Sequence, residues 1–315
     1  MNDPAPILEL IDAFRRSKTM FTAVKLGIFD GERQRGAAMD RLLDACVGLG
    51  LLVKRGDDYV NTPLADEYLK QSSPRTLSGY IRYSNDALYR LWEHLDDAVM
   101  EGTNRWTQTF GSGGGLFTHF FRTPEAQRDF LMGMHGFGMI SSPSVIAAFD
   151  LSRFSSLVDL GGATGHLALA ARDGYPAMKA TVFDLPSVIE VTKEFVGNRV
   201  SLIAGDFFTD PLPEADLYAA GRILHDWTEA KIAALLQKIY AALPDGGGLL
   251  IAEKLLKEDR SGGIATHMQS LNMLVCTEGR ERTLSEYSAL LHSAGFREVS
   301  GHSTGAPLDV VLALK

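Results

Sequence analysis

The sequence predicts an α/β protein in which a mainly helical N-terminal half with a winged-helix pattern precedes a doubly wound sheet of seven strands. Apolar residues recur at helical spacing over much of the first half of the 315 residues. At Leu157 the pattern changes to short apolar strands that alternate with helical segments, which is typical of a parallel sheet covered by helices. A glycine-rich turn follows the first of these strands, at the sheet edge where such folds bind ligands.

Composition and charge limit the classes of function. With 45% hydrophobic and 22% charged residues, the chain has the composition of an ordinary globular protein. The net charge of −8 disfavours a nucleic-acid partner, whose phosphates would be repelled. No uncharged apolar run approaches the length of about 18 residues that a membrane span requires. Two cysteines and a start without an apolar signal segment indicate a cytoplasmic protein with neither a disulfide framework nor a metal site.

The first hundred residues match a winged-helix unit. Helical spacing joins Leu8, Ile11 and Phe14, then Phe21, Val24 and Ile28, then Met39, Leu42, Leu43 and Cys46. Strands are predicted at Leu51–Val53 and Tyr59–Val60, with a turn at Asp57-Asp58 between them. The helix in the DNA-recognition position carries Asp40 and Asp44 against Arg41, which is too little positive charge to hold phosphates. A dimerisation or scaffold unit is therefore expected.

The middle of the chain connects the two halves. Residues 103–115 form a turn-rich stretch that we predict to be a flexible loop near the functional site. A helical block follows from Pro124 to Ala148, with a break expected at Pro143. We therefore divide the chain into an N-terminal unit (1–100), connecting helices (101–150) and the sheet domain (151–315).

Seven strands are predicted in the second half, most of them separated by helices. They are Leu157–Leu160, Ala180–Asp184, Val200–Ala204, Asp216–Ala220, Gly248–Glu253, Phe296–Ser300 and Leu308–Leu312. Chemistry is expected beyond the carboxyl ends of these strands.

The turn after the first strand contains several glycines. Asp159-Leu160-Gly161-Gly162-Ala163-Thr164-Gly165 lets the backbone turn tightly and approach a ligand closely. Counting from either Gly161 or Gly162, it does not fit the Gly-x-Gly-x-x-Gly pattern of dinucleotide sites. Asp159 can anchor the loop and reach a cationic ligand. A plain tight turn is the alternative.

Two more carboxylates follow the next two strands. Asp184 can accept hydrogen bonds from ribose hydroxyls, and Asp206 beside Phe207 can bind an adenine amine and stack on its ring. Taken alone, each is equally explained as a turn or capping residue. Three acids at successive strand ends favour a nucleoside without phosphates, because like charges repel in a partly desolvated site. S-adenosylmethionine, a cation with a ribose and an adenine, fits.

A histidine follows the fourth strand, in Arg222-Ile223-Leu224-His225-Asp226-Trp227. An imidazole titrates near neutral pH, so His225 is the expected base for removing a hydroxyl proton beside the bound nucleoside. A satisfied loop histidine is the alternative. Asp226, with Glu229 three residues on, is also expected to cap the following helix.

These segments together resemble the class I small-molecule O-methyltransferases, most closely the acetylserotonin O-methyltransferase and acetylserotonin O-methyltransferase-like group. The resemblance runs from about Leu8 to the C-terminus and is most specific between Val158 and Thr283. It implies a Rossmann-like methyltransferase sheet, S-adenosyl-L-methionine as cofactor, a small-molecule acceptor, and a homodimer formed through the N-terminal domain. It also implies that the connecting helices line the acceptor pocket.

The resemblance also assigns roles to individual residues. Catalysis is assigned to His225 with its supporting acids Glu253 and Glu281. Glu281 is the weaker assignment of the two, because Thr283 and Glu286 form a capping-box pattern of their own. Cofactor contacts are assigned to Asp159, Gly161, Gly162, Gly165, Asp184, Leu185, Asp206, Phe207 and Arg222. Acceptor contacts are assigned to Met134, Phe137, Asp226, Asn272, Met273 and Cys276, although Met and aromatic residues at helical spacing are also typical of a core.

Two features depart from the group. Its acetylserotonin enzymes carry Gln where this chain has Cys276, which removes a possible contact to the substrate's acetamide. The connection between Phe29 and Met39 is also shorter than in relatives, which trims the winged-helix unit used for dimerisation.

Other functions stay open at this stage. Methylation of a small thiol or thioether is one, and a thioether acceptor would not need His225 as a base. A catalytically silent cofactor-binding homologue is another, disfavoured by the presence of His225, Glu253 and Glu281. A DNA-binding regulator is the least favoured, for the charge reason given above.

Overall fold

The computed structural model describes residues 3–33, 36–111 and 113–315. These residues form two compact units, one of Met1–Tyr89 with Glu125–Gly136 and one of Arg90–Pro124 with Phe137–Lys315. The predicted connecting helices, 101–150, are thus divided between the two units. Ser112, inside the predicted loop, and Gln34 and Arg35, inside the shortened connection, lie outside the described residues.

Strands are numbered along the chain. They are β1 (Leu52–Arg55), β2 (Asp58–Asn61), β3 (Ser156–Leu160), β4 (Lys179–Asp184), β5 (Ser201–Ala204), β6 (Leu217–Gly221), β7 (Gly248–Glu253), β8 (Leu255–Leu256), β9 (Arg282–Thr283), β10 (Glu298–His302) and β11 (Asp309–Leu314). Seven of them form one sheet in the order β10-β11-β7-β6-β3-β4-β5. From β7 to β5 all neighbours are parallel, and β11 and β10 add antiparallel pairs at the other edge. The predicted seven-stranded doubly wound sheet is confirmed.

Helices are numbered in the same way. They are α1 (Ala5–Lys25), α2 (Ala37–Gly48), α3 (Pro63–Tyr68), α4 (Ser78–Tyr83), α5 (Tyr89–Leu91), α6 (Leu95–Glu101), α7 (Trp106–Phe110), α8 (Leu116–Phe120), α9 (Pro124–Ala147), α10 (His166–Gly174), α11 (Pro186–Val196), α12 (Glu229–Ala242), α13 (Ile264–Cys276) and α14 (Leu284–Ala294). Short 3-10 turns cover Ile28–Asp30, Trp92–His94 and Leu224–Asp226, and a π turn covers Ser84–Leu88.

The core of the second unit lies around the sheet. All six residues of β7 are buried, as expected for a central strand covered on both faces. Residues from β3, β6 and β11 join side chains of α10 in one apolar cluster, which also takes in Val145 and Ile146 from α9. This burial fixes the strand ends at which the predicted site residues lie.

The first unit has its own apolar core, which includes Ile28, Phe29, Leu43 and Leu52. β1 and β2 form the predicted antiparallel hairpin. Its turn is at Gly56-Asp57, one residue earlier than predicted, because Gly56 takes up a left-handed φ of +61°.

Two predictions about the connecting segments were wrong. The expected helix break at Pro143 does not occur, since α9 continues through it. The carbonyl left without a donor there belongs to the exposed Met139, while buried Val145 and Ile146 hold the helix by packing. The stretch 103–115 is also not simply a loop: it contains α7, whose Trp106 is fully buried and donates to the Cys276 carbonyl at 2.8 Å.

Among the helices of the described residues, α9 alone is long and apolar enough to cross a membrane. However, 44% of its most apolar stretch is buried inside the protein. Burial of this kind is typical of a core helix, so its length and composition are weak evidence for a membrane span.

Candidate active site

The glycine-rich turn after β3 is packed so closely that side chains would not fit. Gly161 and Gly165 have left-handed φ angles of +64° and +78°. A Cβ atom on Gly162 would lie 2.6 Å from Oδ2 of Asp159, and one on Gly161 would lie 2.5 Å from the Ile223 side chain. The turn therefore brings its backbone onto the Asp159 carboxylate and towards the segment that carries His225.

Two of the three predicted acids lie around this turn, the buried Asp159 and the partly buried Asp184. Asp159, at 1% exposure, has an Oδ2 without a hydrogen-bond partner among the described residues. Burial raises the pKa of Asp159 to about 7, against a hydrogen bond from Ala168 that lowers it. Asp184 accepts from the backbone N–H of Ala163 at 2.9 Å and of Leu185 at 2.7 Å, and burial raises the pKa of Asp184 to about 6.

The segment after β5 completes this part of the site. Asp206 accepts from the backbone N–H of Phe208 at 2.8 Å and so shapes its own turn. The Phe207 ring approaches the glycine turn, with Cε1 3.4 Å from the Cβ position of Gly161. Lys238 of α12 holds this segment by donating to the Phe207 carbonyl at 2.9 Å.

These residues fit S-adenosylmethionine. An unpartnered buried carboxylate oxygen on Asp159 favours a cation, and the acids around the turn would repel phosphates. The glycine turn follows β3, at the sheet edge where folds of this kind bind nucleosides. The aromatic ring of Phe207 is placed to stack on a base.

His225 lies in the 3-10 turn that follows β6 and is 3% exposed. Its Nδ1 is 2.7 Å from Oε1 of the fully buried Glu281, and its Nε2 is 3.7 Å from Oδ1 of Asp226. Burial lowers the pKa of His225, but the charges of Glu281, Glu253 and Asp226 more than offset this and raise it to about 9. The surrounding carboxylates thus stabilise the protonated imidazole of His225.

Glu253 and Glu281, the two acids assigned to support His225, contact its turn in different ways. Glu281 touches the imidazole directly, whereas Oε1 of Glu253 accepts from the backbone N–H groups of Ile223 and His225, both at 3.1 Å. The predicted capping box of Thr283 is present, but it does not involve Glu281.

The short strands β8 and β9 place Glu281 beside the end of β7. They pair in parallel, with Leu255 opposite Arg282 and Leu256 opposite Thr283. Because β8 almost directly follows Glu253 and β9 directly follows Glu281, the pairing brings the two acids to one end of the sheet. No local pattern in the sequence predicted these two-residue strands.

The predicted capping role of Asp226 was also wrong. The N-cap of α12 is Thr228, whose hydroxyl accepts from the Lys231 N–H, while Asp226 lies in the 3-10 turn with its carboxylate beside His225. Both residues are good N-caps, and Thr228 lies directly before the first helical residue. The Asp226 carboxylate therefore does not cap α12 and lies beside His225 instead. Burial raises its pKa to about 6, against the opposing charge of His225.

Some of the residues assigned to the acceptor lie on α13 and its surroundings. Asn272, Met273 and Cys276 are buried on this helix, and Oδ1 of Asn272 accepts from Nε1 of Trp92 at 2.9 Å. The Cys276 thiol donates to the Asn272 carbonyl of its own helix at 2.9 Å. Trp92 was missed from the sequence because nothing in its short 3-10 turn marks a partner 180 positions away.

Arg222 and Phe137 form a second cluster. The Arg222 guanidinium lies 4.8 Å from the centre of the Phe137 ring, and its buried Nε has no partner among the described residues. Arg222 also takes up a left-handed φ of +58°, which is strained for a residue with a side chain. Met134, also assigned to the acceptor, belongs to the other compact unit.

Comparisons with known proteins identify the family and the fold. A family model described as "O-methyltransferase domain" matches residues 92–297. Acetylserotonin O-methyltransferase of Gallus gallus is 43% identical, over 99% of this chain and 97% of that protein. The crystal structure of human N-acetylserotonin methyltransferase in complex with SAM matches with a TM-score of 0.95 at 41% identity, over 100% of this chain and 98% of that one. A structure described as "PigF with SAH" matches with a TM-score of 0.89 at 26% identity, over the full length of both chains. The chain therefore belongs to the O-methyltransferase family, and it is an S-adenosylmethionine-dependent methyltransferase of small-molecule hydroxyls.

Proposed function

We propose that this enzyme methylates a hydroxyl of a small aromatic or indole-like acceptor, with His225 as the general base. The buried contact of 2.7 Å between His225 Nδ1 and Glu281 Oε1 carries the proposal. A carboxylate can only accept, so Nδ1 carries a proton in this contact, and in the neutral imidazole Nε2 has the lone pair. That lone pair can take the proton of an acceptor hydroxyl.

The residues around His225 support this proton transfer. Glu281 on one side and Asp226 on the other stabilise the imidazolium that forms. Removing the hydroxyl proton makes the acceptor oxygen a stronger nucleophile, and a positioned base of this kind contributes roughly 10²–10⁴-fold in rate. When bound, S-adenosylmethionine supplies an electrophilic methyl group on its sulfonium. Asp159, Asp184 and the glycine turn would hold it.

The acceptor proposal rests on α13. Trp92 occupies the side-chain oxygen of Asn272, which leaves the amide N–H groups of Asn272 as donors for an oxygen of the acceptor. Met273 would supply an apolar contact. The relatives named above are acetylserotonin methyltransferases, but the Cys276 thiol is engaged within its own helix and offers no amide to an acetamide group. We therefore expect a phenol or hydroxyindole with a less polar substituent to be preferred over N-acetylserotonin.

Calorimetry and a transfer assay test this function. S-adenosylmethionine binding is measured first, followed by methyl transfer to N-acetylserotonin, to simple phenols and hydroxyindoles, and to thiols. His225→Ala should keep cofactor affinity and lose roughly 10²-fold or more of turnover on hydroxyl acceptors. His292→Ala, at an exposed histidine on α14, is the matched control and should keep full turnover. Undiminished turnover by His225→Ala would refute the base and favour a thioether acceptor.

We also propose that the enzyme is a homodimer formed through the N-terminal unit. One part of α1 exposes a run of large apolar side chains, each more than half accessible: Ile7, Leu8, Leu10, Ile11 and Phe14. A contiguous apolar patch of this kind marks an interface, and a self-complementary dimer buries the same patch on both copies. Sedimentation should give a dimer, and Phe14→Asp should shift it to monomer while the control Leu64→Asp, at an exposed residue on α3, should not. A monomeric wild-type protein would refute the proposal.

The cytoplasm is the proposed location. Cys46 and Cys276 are both free and buried, which suits a compartment that keeps thiols reduced. Fractionation of the native host, followed by detection of the protein, checks this, and a secreted or membrane-bound pool would contradict it.

A further inference from the structure

Glu253 is almost fully buried and is held by three hydrogen-bond donors. Its Oε1 accepts from the backbone N–H groups of Ile223 and His225, and its Oε2 accepts from the hydroxyl of Tyr287. Glu253 is 1% exposed and Tyr287 is fully buried. The Glu253 carboxylate therefore accepts hydrogen bonds from the backbone N–H groups of the turn that carries His225, and not from the imidazole ring.

The turn that Glu253 holds is strained. Arg222, directly before Ile223, has a φ of +58°, and its own N–H donates to the Ala252 carbonyl of β7 at 3.0 Å. A non-glycine residue in this conformation persists only where surrounding contacts over-determine it. Glu253 supplies two of those contacts, so the orientation of Glu253 decides where His225 lies.

Tyr287 is the side chain that fixes this orientation. It lies in the first turn of α14, directly after the capping box formed by Thr283 and Glu286. Its ring is buried and its hydroxyl is bonded to the second oxygen of Glu253, so the carboxylate cannot rotate without losing that bond.

We propose that Tyr287 is a positioning residue for methyl transfer, whose hydroxyl locks Glu253 so that Glu253 holds the strained turn presenting His225. The inference rests on the proposed role of His225 as base. Among the described residues, the Tyr287 hydroxyl bonds to Glu253 and not to His225, so in this proposal its effect on the base passes through Glu253.

Tyr287→Phe tests the proposal, because it removes one hydroxyl and keeps the buried ring. Tyr218→Phe is the matched control: Tyr218 is also fully buried, and its hydroxyl donates to the Pro213 carbonyl at 2.6 Å. We expect Tyr287→Phe to lower kcat roughly tenfold, as for loss of a hydrogen bond to a charged group, with the Kd of S-adenosylmethionine within about twofold of wild type. The control should keep kcat.

A second readout does not depend on turnover. The imidazole of His225 faces Glu281, Glu253 and Asp226, and Tyr287 faces Glu253, Glu281 and Arg282. Without the Tyr287 hydroxyl, Glu253 takes up a proton at higher pH, and less negative charge faces His225. An NMR titration of labelled histidine should therefore show a lower pKa for His225 in Tyr287→Phe and an unchanged one in Tyr218→Phe.

The outcomes separate the two claims. If the His225 pKa is the same in both Phe variants, or if kcat falls equally in both, the proposed role of Tyr287 is wrong. If the His225 pKa moves only in Tyr287→Phe but wild-type protein transfers methyl to no hydroxyl acceptor, the link from Tyr287 through Glu253 to His225 is supported and the proposed function is wrong. Melting temperatures of both variants show whether a loss of rate reflects unfolding.

Discussion

Glu281→Gln is the most informative single change to the site. It removes the charge that faces Nδ1 of His225 but keeps the size and one acceptor oxygen of the side chain. The introduced glutamine can still hold the imidazole in orientation through its amide oxygen. The variant therefore tests how much the charge, rather than the shape, of Glu281 contributes to proton transfer.

The contact between Glu281 and His225 sets the expected loss of kcat in Glu281→Gln. Losing a hydrogen bond to a charged group costs about 1.5–3 kcal/mol. The Coulomb energy of opposite charges roughly 4 Å apart at an effective dielectric constant of about 20 is about 4 kcal/mol. At about 1.4 kcal/mol for each factor of ten in rate, kcat should fall by roughly 10- to 10³-fold.

The pH profile should move in a stated direction. Only the neutral imidazole of His225 can accept a proton, so kcat/KM falls as the pH drops through its pKa. Burial lowers the pKa of His225, and Glu281 contributes the largest of the carboxylate charges that together raise it to about 9. Without that charge the pKa of His225 falls, so the acid limb of kcat/KM should shift to lower pH even as the maximum rate drops.

Initial rates of methyl transfer between about pH 6 and 10 provide the assay. Glu286→Gln is the control, because Gln also supports a capping box and Glu286 does not contact His225. A Glu281→Gln enzyme with a rate within about threefold of wild type and an unmoved acid limb would refute the reasoning. A loss of similar size in Glu286→Gln would trace the effect to α14 instead.

Three further predictions address the cofactor, the acceptor and stability. Gly162→Ala should weaken S-adenosylmethionine binding at least tenfold by calorimetry, because the new Cβ would lie 2.6 Å from Oδ2 of Asp159; unchanged affinity would show that the turn adapts. Trp92→Phe removes the donor that orients Asn272 and should raise the acceptor KM about fivefold with the cofactor Kd unchanged. Initial-rate kinetics that give an unchanged acceptor KM would contradict this prediction. Thr283→Ala removes the N-cap of α14 and should lower the free energy of unfolding by about 1 kcal/mol in a urea titration, with a change below about 0.3 kcal/mol counting against it.

Local patterns predicted the sheet and the turns at its edge. The strands of the sheet begin and end within about two residues of their predicted positions, since apolar runs bounded by polar or glycine-rich turns mark them in the sequence. The turn at Gly161 and the turn carrying His225 follow β3 and β6 as expected. Conformation at these points depends on a few neighbouring residues, so a single sequence contains the information.

Contacts between distant segments could not be predicted in this way. Glu281 meets His225 across 56 positions, through a pairing of two-residue strands too short to give a periodic signal. The continuation of α9 through Pro143 likewise depends on packing that overrides a local preference. The resemblance to the O-methyltransferases assigned Glu281 to the site. Only the fold shows that Glu281 is the residue in direct contact with His225.

One consequence concerns how this enzyme can be retargeted. The proposed proton-transfer groups are attached to the ends of β6 and β7 and to β9, whereas the proposed acceptor contacts at Asn272, Met273 and Cys276 occupy successive turns of the single helix α13. A small library of substitutions at those helix positions would alter which hydroxyl compounds are accepted and leave the strand-anchored chemistry in place. Selectivity in this scaffold is thus open to change by exchanging residues within one short helix.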